Sequence, residues 1–452
     1  MLPKDFRGYL DYLEAQGKLL RVEKEVDVKH EIAAGIRKIS DNDGPALLFE
    51  NIKGYPGWRV AGGLYATKKL MALALETEAD EEKLLQRYID CQDRRVKPKL
   101  VPTGPVKEIV IKGEDVDLTS MPFLTYCEKD AGPYIIGSAE IAKHPETGIQ
   151  NVCIIRGMVL GRNKKVLGTG PPSHLGLIVL ASEQRGNGAG VATVLGAPPE
   201  LTLASQVKAP MGVDETEIAG AFRGEPVEMV KCETIDVEVP AHAEIIIEGV
   251  TVPGTSVSDG PFAEWHGDYR GILPGTVPVA VGAREVKVTA ITMRKNPILQ
   301  ALACGMPMTE TQWLKKWAVT AALYREAIKL VPPEDIRGIN LTEGGAGGDN
   351  LVISIRKRAE NQPKNIINHL LASGFNVVNV IVVDDDIDVY NAVDVEWAWA
   401  HRVDPESDII VIPRPSGIRH GKKWGMDATM PINDREWQSK ARVPGVDKVD
   451  YV

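Results

Sequence analysis

Residues 350–412 alternate between strand-like and helix-like segments, and few folds accommodate that order. Asn350 to Ile355 reads as a strand, Gln362 to Ser373 as a helix and Val377 to Val383 as a strong strand. Val393 to His401 then reads as a helix and Asp408 to Ile412 as a strand. Strands separated by helices are a βαβ signature, so the sequence predicts an α/β domain here. A long helix, Thr311 to Leu330, precedes it and stops at Pro332-Pro333.

The start of the chain has a similar texture. Phe6, Tyr9, Leu10 and Leu13 fall at helical spacing between Asp5 and Gln16, with Gly17 placed as a C-cap glycine. A strand (Leu19 to Val26), two helices (Glu31 to Ile39 and Lys68 to Tyr88) and a short strand at Ala46 follow. The Lys/Pro-rich segment Arg95 to Pro105 reads as a linker. Between the two α/β regions the chain turns to short strands broken by glycine and proline. Examples are Glu108 to Ile111, Asn151 to Leu160, Val191 to Leu195, Val227 to Val239, Ala243 to Ile247 and Glu285 to Thr292, which predict a β-barrel or sandwich. The expected division is therefore 1–105, 106–305 and 306–452.

A net charge of −9 argues against a partner held through nucleic-acid phosphates. No stretch approaches the length of a membrane-spanning helix. The N-terminal residues lack an apolar signal-peptide core. The five cysteines are scattered and form no CxxC pair. Together these features predict a cytoplasmic protein without a disulfide framework or a zinc site.

No phosphate-binding GxxxxGK[ST] loop is present, and Gly186 to Gly190 does not match the dinucleotide fingerprint. Chemistry concentrates instead at Asp259-Gly-Pro-Phe-Ala-Glu-Trp-His-Gly-Asp-Tyr269. Two carboxylates, Asp259 and Glu264, flank a Gly-Pro turn, with Phe262 and Trp265 able to keep them dry. Drying raises a carboxyl pKa toward that of a useful general acid. The alternative is an ordinary acidic loop with two buried aromatics.

Arg156 lies in the apolar run Val152 to Leu160 and needs a carboxylate partner there. That partner is either a structural ion pair or Asp259 or Glu264. Asn151 and Arg156 are five apart, so in one regular strand they would point to opposite faces unless a bulge intervenes. Asn151, His174 and Glu215 offer an amide, an imidazole and a carboxylate, a donor set suited to a divalent ion such as manganese. His174 also reads as a plain surface histidine. Lys423, in Gly421 to Thr429, reads either as a phosphate-binding point charge or as part of a solvated basic loop.

These segments resemble the UbiD-type decarboxylases, which use prenylated FMN. The likeness is carried by Asp5 to Leu13, Asn151 to Arg156, Gly196 to Pro199, Glu225 to Thr234, Asp259 to Glu264, Val383 to Asp388 and Lys423 to Thr429. It implies an N-terminal α/β domain, a central split β-barrel that binds flavin and a C-terminal α/β domain with an oligomerisation role. The flavin would lie between the barrel and the C-terminal domain. It further implies a dimer or hexamer, and a flavin prenyltransferase as cofactor supplier.

By the same resemblance, Asn151, His174 and Glu215 hold manganese, with potassium nearby. Arg156, Asp259 and Glu264 form the catalytic network. Lys423, Ser173, Cys153, Asn151, His174 and Arg156 contact the cofactor. Two departures stand out. Asp259 replaces the family's usual glutamate, so its contact to Arg156 must come from closer in or through water. Cys153 stands where relatives carry a hydroxyl. The implied reaction is reversible, non-oxidative decarboxylation of an unsaturated or aromatic carboxylic acid. The competing readings are an FMN-dependent oxidoreductase and a non-catalytic cofactor-binding or assembly subunit.

Overall fold

The computed structural model describes residues 3–137, 139–170, 173–264, 267–271, 282–413, 422–434, 439–441 and 443–445. Trp265, His266, Pro171, Pro172 and Gly421 lie outside the described residues. The chain divides into two units, 1–318 and 319–452.

The first unit begins with the helix Phe6–Ala15. The side chain of Asp5 caps it by accepting from Gly8 N at 2.8 Å. Phe6, Tyr9, Leu10 and Leu13 are buried, as their spacing predicts, and Gly17 follows in the left-handed region. Arg7 reaches from this helix to the fully buried Glu244 in a fork of 2.8 and 2.9 Å. A four-stranded sheet follows in the order Leu19–Val22, Ala46–Phe49, Arg59–Gly62 and Ile298–Ala301. Its last strand comes from far along the chain and pairs with Arg59–Gly62 in parallel. The expected helix Lys68 to Tyr88 is two helices, Lys68–Leu75 and Glu81–Asp93. They break where Glu76 takes a left-handed conformation and the Asp80 side chain caps the second helix.

The central sheet is the frame of the site. Its order is Tyr134–Ile135, Gly157–Gly161, Lys164–Leu167, Arg284–Met293, Ile245–Thr251, Gly190–Leu195, Ala139–Lys143, Gln150–Cys153. Ile109–Lys112 adds to Arg284–Met293. Gln150–Cys153 and Gly157–Gly161 are consecutive in the chain yet six places apart in this order. Laid flat, six spacings would separate them by about 29 Å. The chain between them, residues 154–156, reaches at most about 14 Å. The sheet must therefore curl until its ends meet, which makes it a barrel with an open seam at 154–156. The predicted single strand Asn151 to Leu160 is thus two strands, with Arg156 at the crossing. Inside the barrel, Lys165 is ion-paired to Glu140 and also touches Thr193, all three about 1% exposed.

The second unit carries a five-stranded sheet in the order Ile336–Leu341, Asn350–Ile355, Asn379–Asp384, Lys422–Ala428, Ile409–Pro413. The three central strands are parallel and both edges antiparallel. Helices Gln362–Ala372 and Ala392–Arg402 complete the predicted βαβ pattern. Arg402 clamps the end of Asn379–Asp384 by bonding Asp386 at 2.7 Å. Among the described residues, no helix is long and apolar enough to cross a membrane.

Candidate active site

Arg156 stands at the barrel seam, outside either flanking ladder. One guanidinium nitrogen, Nη2, donates to Asp259 Oδ2 at 2.7 Å, and the other, Nη1, donates to Glu264. Both acids predicted as partners are used, one on each arm. The ring of Phe262 lies under the guanidinium, 5.3 Å from Cζ. Asp259 is 1% exposed, while Arg156 and Glu264 are about 15% exposed at the side chain. Burial alone would lower the Arg156 pKa, but the charges of Glu264 and Asp259 outweigh it and leave the pKa raised. Arg156 is therefore a permanent cation. Its Nε–H is buried and, among the described residues, has no hydrogen-bond partner.

The acids come from one turn. Phe262–Ala263 pairs with Tyr269–Arg270 in a short hairpin. Phe262 and Glu264 are two apart and point to the same side, beneath and beside Arg156. Asp259 reaches Arg156 directly, so its shorter side chain makes the contact from closer in. The space around it is tight. A Cβ at Gly168 would lie 2.7 Å from Asp259 Oδ2, and one at Gly271 would lie 3.4 Å from Oδ1. Only glycine at 168 lets the carboxylate sit there. Asp259→Glu is expected to overpack this corner and to destabilise the protein by about 1–3 kcal/mol. Thermal melting would register this, and an unchanged midpoint would show that the corner has slack.

A second cluster lies on the other side of the seam. Asn151, on the strand Gln150–Cys153, donates through Nδ2 to Glu215 Oε1 and Oε2 at 3.2 and 3.3 Å. Val152 N also donates to Glu215, at 2.8 Å. Glu215 opens the helix Glu215–Arg223, and His174 opens the helix His174–Gln184, whose cap is Ser173. Two helix N-termini, each a region of positive potential, thus carry two of the three predicted ligands. His174 and Asn151 line one cavity of about 200 Å³ with His144, Thr147, Ile149 and Met211. Burial pushes the Glu215 pKa up to about 7, against the opposing bonds from Val152 and Asn151. Burial also lowers the His174 pKa, and the nearby charge of Lys208 adds to that.

Asn151 Oδ1 is buried and has no hydrogen-bond partner among the described residues. An orphan amide oxygen beside a buried carboxylate is the donor set a hard divalent cation takes. Among the described residues, no group of three or more His, Cys, Asp or Glu side chains is placed to hold a metal, so the amide matters to any such site. Cys153 and Ile155 pack against the apolar cluster beneath the His174 helix. Burial holds the Cys153 thiol well above its usual pKa.

Lys423 lies in the second unit, on the central strand Lys422–Ala428 rather than in a solvated loop. It is 4% exposed, and its ammonium donates to Leu371 O and Phe375 O at 2.6 and 3.1 Å. A cation at the C-terminal carbonyls of Gln362–Ala372 is favoured by the helix dipole. Lys208 was not marked by any motif, because its relation to His174 arises only from the fold.

Three successive segments match one family's domains. Residues 10–90 match the 3-octaprenyl-4-hydroxybenzoate carboxy-lyase N-terminal domain, 99–307 its Rift-related domain and 314–428 its C-terminal domain. The chain belongs to the UbiD family of carboxy-lyases. This UbiD chain is 30% identical to the anhydromevalonate phosphate decarboxylase of Methanothermobacter thermautotrophicus, over 95% of its own length and 98% of the relative's. It is 30% identical to the phenolic acid decarboxylase of Bacillus subtilis, over 96% and 93%. Among solved structures, it is similar to an evolved dimeric form of the UbiD-class enzyme HmfF from Pelotomaculum thermopropionicum in complex with prFMN. The TM-score is 0.87, with 35% identity and 99% of both chains covered. The fold of this UbiD chain is thus the three-part mixed α/β architecture of its class.

Proposed function

We propose that the chain is a prenylated-FMN-dependent enzyme that reversibly decarboxylates an unsaturated or aromatic carboxylic acid without oxidation. The observation that carries this reading is the Arg156 guanidinium, fixed by two carboxylates, with a buried Nε–H that has no partner among the described residues. An open donor on an oriented, permanently charged fork is suited to receive a substrate carboxylate. Loss of carbon dioxide from an sp² carbon needs an electron sink, which prenylated FMN supplies when bound. The complexes of HmfF with prFMN and with FMN support the flavin.

Each residue then has a task. Arg156 binds and aims the substrate carboxylate. Glu264 delivers a proton to the carbon that carbon dioxide leaves. Asp259, buried on the opposite arm, keeps the guanidinium oriented. Phe262 excludes water beneath it. Asn151, His174 and Glu215 would hold a divalent cation such as manganese, which would supply positive charge for the flavin phosphate, and potassium would serve as a second cation. Cys153 and Ser173 would line the same phosphate end.

The test is anaerobic reconstitution with prenylated FMN, manganese and potassium, followed by carbon dioxide release from a panel of acids. The panel should span phenolic, heteroaromatic and phosphorylated unsaturated acids. Uptake of prenylated FMN with turnover of any panel member is the expected result. Uptake of plain FMN alone, with hydride transfer, would replace this reading with an oxidoreductase.

Manganese affinity should depend on pH. With its pKa near 7, Glu215 carries a proton below that pH, and binding must displace the proton. Affinity is expected to rise about tenfold per pH unit up to pH 7 and then level off. Calorimetric titration of the flavin-free protein between pH 5.5 and 8 reads this directly. A flat profile would remove Glu215 from the ligand set.

A further inference from the structure

We propose that Tyr134 and Asp130 are positioning residues, which hold the turn bearing Asp259 and Glu264 against Arg156. The inference rests on the function proposed above for that turn. Residues 126–134 grip its backbone at alternate positions. The Tyr134 hydroxyl donates to Asp259 O at 3.0 Å and to Pro261 O at 3.1 Å. Ala131 N donates to Pro261 O at 2.8 Å. Asp130 Oδ1 accepts from Ala263 N at 2.9 Å, while its Oδ2 accepts from Tyr126 N and Cys127 N at 3.1 and 2.8 Å. Residues 259, 261 and 263 are thus all bonded from one side. That leaves the side chains of Phe262 and Glu264 free to face Arg156.

Ring packing reinforces the grip. Tyr134 is 1% exposed, and its ring lies 4.5 Å from that of Phe262, the ring under the Arg156 guanidinium. Tyr126 meets Phe262 edge-on at 6.4 Å. Tyr134 and Asp130 bond the backbone of the turn at Asp259, Pro261 and Ala263, so their effect passes through the turn. A shift of about 1 Å in a catalytic group costs rate steeply even when binding survives.

Tyr134→Phe keeps the ring and removes only the hydroxyl, and Asp130→Asn replaces one carboxylate acceptor of the backbone grip with a donor. In the flavin-loaded full-length enzyme, each is expected to lower kcat about tenfold, with KM within twofold and flavin loading unchanged. Crystal structures of the flavin-free variants supply a readout without turnover: the 2.7 Å contact between Arg156 and Asp259 should lengthen. An unchanged kcat with an unchanged contact overturns the inference, as does a raised KM at constant kcat. Failure of Tyr134→Phe to fold also overturns it, since the hydroxyl would then serve the fold. A wild-type enzyme that loads flavin but turns over no acid sinks the functional reading instead, and the crystal structures then decide the positioning role alone.

Discussion

Glu264→Gln is expected to lower kcat about 10³-fold, within the range that loss of a general acid produces. That corresponds to about 4 kcal/mol of transition-state stabilisation. The substitution is isosteric. The amide oxygen still accepts from Arg156 Nη1, so the guanidinium keeps both arms fixed. What disappears is the exchangeable proton on the far side of that contact. Flavin loading and substrate binding should survive, since Glu264 is outside the cluster formed by Asn151 and Glu215. Near-normal decarboxylation by this variant would move the acid role elsewhere. The neighbouring Cys304 thiol is a poor substitute. It lies within electrostatic reach of Glu264 and Arg156, and burial pushes its pKa up to about 12, too high for efficient proton delivery at neutral pH.

Lys165→Met should give the largest loss of stability, about 3–5 kcal/mol, because it strands the Glu140 carboxylate inside the barrel. Among the described residues Glu140 Oε2 has no hydrogen-bond partner, and only the neutral Thr193 hydroxyl would remain on Oε1. The melting midpoint should fall by several degrees, more than for any exposed ion pair. Adding Glu140→Leu to Lys165→Met should recover most of the loss, since replacing both charges with apolar groups of similar volume is often close to neutral. The Thr193 hydroxyl, which donates to Glu140 at 2.7 Å, would leave a residual cost. Equal stability of the single and double variants would show that water reaches Glu140.

Much of this was legible in the chain. The helical spacing of Phe6, Tyr9, Leu10 and Leu13 found a real core face, and the alternation after residue 350 found a real sheet. Arg156 in an apolar run demanded a carboxylate, and the fold supplies two. Other features left no local signature. Lys422–Ala428 is a central strand, yet its lysines and glycine read as a loop, because a buried lysine satisfied by helix-end carbonyls looks the same in sequence as a solvated one. Ile298–Ala301 joins a sheet more than two hundred residues upstream, a pairing that no short window contains. Tyr134 and Asp130 act on backbone atoms of a distant turn, and such contacts leave no trace in residue spacing.

Tyr134 lies opposite Met158 and Ile135 opposite Gly157, immediately after Arg156. The residue that grips the acid turn and the residue that follows the guanidinium therefore belong to a single ladder. A local opening that frees one must free the other. The amide protons of Tyr134, Val159 and Ala263 should then exchange with deuterated solvent at similar rates, as one cooperative opening unit. Loss of the site by thermal fluctuation would be all-or-none, with arginine and acids released in the same event.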